Sequence, residues 1–73
     1  MRHTRTALER AVERWNADTP PGSPVTVRTF LGRRVETVTA SKASLTASGP
    51  GVFVMGVRGR CELDRVVPAW IGG

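Results

Sequence analysis

The last third of the chain, from Val52 to Pro68, limits the possible folds more than any other stretch. Val52 to Val57 is the most apolar run and reads as a central strand. Arg58-Gly59 makes a tight turn, with the glycine supplying a positive φ. Arg60 to Leu63 pairs back with Cys61 and Leu63 inward, Asp64-Arg65-Val66 forms one 3₁₀ turn, and Val67 to Ile71 is a terminal strand. Strand, turn, short strand, helical turn and strand is how a small antiparallel barrel closes. A chain of this kind is expected to bind at surface loops and to carry no chemistry.

The upstream residues supply the rest of such a domain. Thr6-Ala7-Leu8-Glu9 has capping-box spacing and predicts a helix to about Asn16. Leu8, Ala11, Val12 and Trp15 recur at i, i+3, i+4 and i+7, giving one apolar stripe. Glu9 and Glu13 flank that stripe on one side, Arg10 and Arg14 on the other, and the stripe is expected to pack on the sheet. Asp18 to Pro24, rich in proline, is the linker. Val25 to Phe30 alternates as a first strand, Leu31-Gly32-Arg33-Arg34 turns, and Val35 to Thr39 returns. Thr39 to Ser48 reads as a bent, partly exposed strand kinked near Ser41, with a helical turn over Ser41–Leu45 as the alternative. Gly49-Pro50-Gly51 reads as a turn. The expected fold is therefore mainly β with one N-terminal helix: residues 1–18 pack on a small five-stranded SH3-like barrel formed by residues 19–73.

With 73 residues the chain makes one domain, near the lower limit for a core that folds unaided. Two Trp, two Phe and no Tyr leave Val, Leu and Ala to build that core, with Phe30 and Phe53 assigned to it. A domain of this size is expected to be stable by about 3–5 kcal/mol, as a monomer or a weak homodimer. The single cysteine, Cys61, excludes an internal disulfide and fits a reducing cytoplasm. No apolar run approaches a membrane span, and the basic N-terminus leads into a charged amphipathic segment instead of a secretory signal. A cytoplasmic protein is expected.

Several segments together resemble a set of short uncharacterised proteins of bacterial, prophage and phage genomes. They are Trp15-Asn16, Pro21-Gly22-Ser23-Pro24-Val25, Thr37 to Ala43, Val52-Phe53-Val54, Gly56, Gly59, Leu63 and Val66. The shared features are a helix, a P-x-G-S/T-x-V entry, a Thr/Ser/Ala strand and a V-x-V-x-G-x-x-G hairpin, covering most of residues 12–68. The resemblance implies an SH3-like fold and a mobile-element origin. It implies no catalytic or binding residues.

Enzyme chemistry finds little support. Metal centres need three or four converging ligands, against one His and one Cys here. His3 reads as solvated and Cys61 as a small core residue. Glu9/Glu13 and Glu62/Asp64 have arginine neighbours that favour plain ion pairs. Gly49-Pro50-Gly51 lacks the lysine and helix of a phosphate loop. No enzyme, metal or cofactor is expected.

The net charge is +5, and ten of the eleven basic residues are Arg. Arg33 and Arg34 in the first turn, Lys42 near the kink, and Arg58 and Arg60 around the last turn form the candidate binding cluster, with Arg10 and Arg14 on the helix as a second surface. Hairpin tips are also charged simply because they are exposed. A protein partner, met as adaptor or inhibitor, is favoured by the moderate charge and the scarcity of aromatics for base stacking. Only Trp70 is a free aromatic in this reading. Nucleic-acid backbone binding through the arginines is the alternative.

Overall fold

The computed structural model describes residues 2–29 and 31–69, with side chains from Arg5 onward. Helix α1 (Arg2–Asp18) is followed by β1 (Pro24–Arg28), β2 (Arg34–Val38), β3 (Ser44–Thr46), β4 (Gly49–Val52), β5 (Cys61–Glu62), a 3₁₀ turn (Leu63–Arg65) and β6 (Val66–Pro68). The strands form two separate three-stranded antiparallel sheets, β2-β1-β6 and β3-β4-β5. This is a small α+β fold, and the expected five-stranded barrel is not there. The physical reason lies in the join. Among the described residues the sheets are joined by one isolated bridge, between Thr39 and Val54. Gly56, at φ 77°, then turns the chain away from β2 before pairing can propagate.

α1 begins four residues before Thr6, so the predicted capping box sits inside the helix. Its stripe is met in part: Val12 and Trp15 pack against the core and Leu8 is half-buried, but Ala11 is exposed. The helix lies on β3 and β4. It ends where Thr19 N–H donates to Trp15 O at 2.7 Å, just before Pro20-Pro21. Asn16 then clamps the segment just before β3, accepting from Ala43 N–H at 2.7 Å and donating to Ala43 O at 3.1 Å.

The core is built from Val25, Val27, Ala43, Val52, Val54, Cys61 and Val66, with Val35, Val57 and Leu63 packed on it. This is the valine-rich interior that the composition demands. Burial raises the Cys61 thiol above its usual range, an effect that the nearby Arg65 opposes. Gly59 has the expected positive φ, 83°, but only bends the chain; the turn lies earlier, at Met55-Gly56. The 3₁₀ turn starts one residue earlier than expected. The last strand runs over Val66–Pro68, and the remainder of the predicted Val67–Ile71 segment reaches beyond the described residues.

Two local readings are overturned. Residues 41–45 form no helical turn; there is a bend at Ser41 and β3 starts at Ser44. Gly49-Pro50-Gly51 is strand β4, and the turn is Ala47-Ser48. Pro50 is tolerated because β5 pairs only as far as Gly51, so the missing N–H interrupts no bond on that side. Gly51 itself is required by a close approach. A Cβ there would lie 2.8 Å from the Arg60 guanidinium carbon and 2.9 Å from Cys61 O. Gly51→Ala is expected to cost about 1–3 kcal/mol, as overpacking does. Urea denaturation of Gly51→Ala, Arg60→Ala and the double variant checks the cause: Gly51→Ala is expected to cost less in the Arg60→Ala background than in wild type, while the contact with the Cys61 backbone keeps the remainder.

Candidate functional site

Period-2 alternation decides which side chains reach the surface. In β1, Val25 and Val27 point inward, so Pro24, Thr26 and Arg28 point outward. The register pairs these with Val38, Glu36 and Arg34 of β2 respectively. The outer face of the β2-β1-β6 sheet is thus graded. Arg28 opposes Arg34 at one end, Thr26 lies between Glu36 and Val67 in the middle, and Pro24 opposes Val38 at the other. An open groove of about 680 Å³ runs over this face.

The bridge between Thr39 and Val54 extends the apolar end. Both residues are buried, so their neighbours turn outward in pairs. Met55 N–H donates to Val38 O at 3.0 Å, and Ala40 N–H donates to Phe53 O at 2.8 Å. Thr37 Oγ1 donates to Met55 O at 2.7 Å and holds the segment in place. Val38, Phe53 and Met55 are 37%, 48% and 57% exposed. The expectation that Phe53 belongs to the core is therefore corrected: Val52 and Val54 on either side take the inward positions. Phe30 and Trp70 lie outside the described residues, and so does the side chain of His3.

At the basic end, Arg28 and Arg34 face each other across the ladder, a like-charge pairing that costs stability unless a carboxylate joins it. Among the described residues neither is in an ion pair; the pairs present are Arg5 with Glu9 and Arg65 with Glu62, both at 3.4 Å. A shallow cleft lined by Arg28, Thr29, Asp64 and Arg65 continues the charged end toward the 3₁₀ turn.

The sequence-derived cluster is only partly assembled. Arg33 and Arg34 stand exposed at the β1–β2 turn beside Arg28, which the sequence reading passed over. Its place was legible, since alternation from Val25 puts Arg28 on the outer face. Lys42 and Arg58 are exposed in two other loops, and Arg10 and Arg14 are exposed on α1. Arg60 is not a free binding group. Its Nη2 donates to Ser44 O, to Gly49 O at 3.0 Å and to Ser44 Oγ at 3.3 Å, so it pins the β3–β4 hairpin.

A second groove, of about 550 Å³, separates α1 from β6 and is lined by Ala11, Arg14, Trp15, Val66 and Pro68 among others. Among the described residues no helix is long and apolar enough to cross a membrane, and no three His, Cys, Asp or Glu side chains gather as a metal site. Compared with known proteins, the chain matches no family model, no curated protein and no solved structure.

Proposed function

We propose that this chain is a small non-catalytic binding module that docks on a protein partner, as adaptor or inhibitor, through the outer face of β2-β1-β6 and the adjoining bridge. The observation that carries the reading is the exposed apolar set Val38, Phe53 and Met55 next to the Arg28/Arg34 end of the same surface. Aromatic, Met and Arg side chains are the types enriched at protein interfaces, and a flexible thioether fits varied contours. The adaptor or inhibitor role itself rests on analogy with small mobile-element proteins. The opposed guanidinium groups of Arg28 and Arg34 also suit phosphates, so backbone binding to nucleic acid is the second reading.

Capture from cognate lysate, with and without nuclease, separates the two when wild type is compared with Phe53→Ser/Met55→Ser and Arg28→Glu/Arg33→Glu. A protein retained in near-stoichiometric amounts after nuclease, and lost about tenfold by the serine variant, is the expected result. Both serine positions are exposed, so the variant should keep wild-type stability. Capture that vanishes with nuclease, falls steeply with salt and is lost only in the glutamate variant establishes phosphate binding instead.

A further inference from the structure

The hydrogen-bond parity of the first sheet leaves one edge open. Thr29 N–H donates to Arg33 O and Thr39 N–H to Ser23 O, both at 2.9 Å. Odd-numbered residues of β1 and β2 are therefore the hydrogen-bonded pairs of this ladder. The backbone groups of Arg34, Glu36 and Val38 consequently point away from β1. Val38 O accepts from Met55 N–H, but Gly56 then carries the chain off. The N–H and C=O of Arg34 and Glu36 find no partner among the described residues, where β1 is the strand paired with β2.

The opposite edge is closed by chemistry. In the same parity Thr26 and Val67 are a hydrogen-bonded pair, so Val66 and Pro68 turn their backbone outward. Val66 N–H is already given to Leu63 O, and Pro68 has no N–H. Edge protection of this kind is absent from β2, whose outward residues are Arg34 and Glu36.

We propose that the β2 edge pairs with β2 of a second copy, antiparallel about a two-fold axis through Val35. Arg34 of each copy then forms a hydrogen-bonded pair with Glu36 of the other, joining four backbone bonds to two reciprocal ion pairs on the outer face. The Arg28–Arg34 opposition is relieved, since each Arg34 gains a carboxylate on its open side. On the inner face the half-buried Val35 side chains meet across the axis in a non-hydrogen-bonded pair, at about 4.5–5.5 Å between Cβ atoms. The next register, centred on Glu36, is disfavoured: it sets Glu36 against Glu36 and brings the second strand onto Val38, where Met55 already sits. The interface is isologous, so it closes as a dimer of one continuous six-stranded sheet. Phe53 and Arg28 do not take part, and association of the chain alone needs no other protein, which makes this pairing separable from docking on another protein.

Sedimentation equilibrium of the purified chain, with no other component, tests it. The wild type is expected to dimerise, and Arg34→Glu or Glu36→Arg to raise the dimer dissociation constant at least about tenfold by opposing like charges. Arg34→Glu/Glu36→Arg is expected to restore dimerisation. So is an equimolar mixture of the two single variants, because each opposing pair is again complementary. Circular dichroism confirms that the singles remain folded. A wild type that stays monomeric at its highest soluble concentration overturns the proposal, and so does dimerisation that ignores the charge swap or a mixture that fails to associate.

Discussion

Replacing Asn16 by Ala is expected to lower stability by about 1–3 kcal/mol, because it strands two part-buried backbone groups at once. The Asn16 amide spans both the N–H and the C=O of Ala43, residues separated by 27 positions. Ala43 is buried in the core, between the bend at Ser41 and β3, and belongs to no strand itself. The side chain therefore supplies what a neighbouring strand would supply elsewhere, one rung of a ladder between a helix and a sheet. Asn16→Asp separates this from packing. The carboxylate keeps the acceptor for Ala43 N–H but loses the donor and places negative charge beside Ala43 O. It is expected to be nearly as damaging as alanine despite its matching shape. Urea denaturation followed by tryptophan fluorescence measures both. A loss below about 0.5 kcal/mol for either variant, typical of an unremarkable surface change, would show that the clamp is replaced by water.

What the sequence made legible was periodicity. The i, i+3, i+4, i+7 stripe placed Val12 and Trp15 on the core, and the alternation of Val25 and Val27 placed β1. The same rule, applied strictly, puts Phe53 outside between Val52 and Val54; assigning it to the core followed side-chain size over position. Turn composition misled at Gly49-Pro50-Gly51, because whether proline interrupts a ladder depends on how far the neighbouring strand extends. Sheet closure was illegible for a related reason. Whether β2 continues along residues 55–57 turns on the single glycine conformation at Gly56, which no local pattern specifies. At the candidate site, Arg33 and Arg34 were found as turn residues, but Arg60 was misassigned. An arginine beside a tight turn looks exposed until the opposite hairpin, with Gly51 leaving room, is known to accept it.

Trp15→Ala is expected to cost about 3 kcal/mol, toward the lower end for a large aromatic because the ring is only half-buried. Trp15→Phe is expected to stay within about 1 kcal/mol of wild type, and the reason is specific to this site. The indole Nε1 is buried without a hydrogen-bond partner among the described residues, so the wild-type ring carries a desolvated donor alongside its apolar area. Phenylalanine gives up some of that area but removes the unpaired N–H, and the two changes oppose each other. Far-ultraviolet circular dichroism in urea reads all three proteins on one scale, since the fluorophore is altered. The ordering matters more than any one value. If phenylalanine lost as much as alanine, the indole N–H would have to be satisfied in solution, and the helix would be held by that bond and not by apolar contact with Val12 and the valine core. If alanine lost little, α1 would be docked by Asn16 alone, and the two substitutions on adjacent residues would then differ by the whole cost of the clamp.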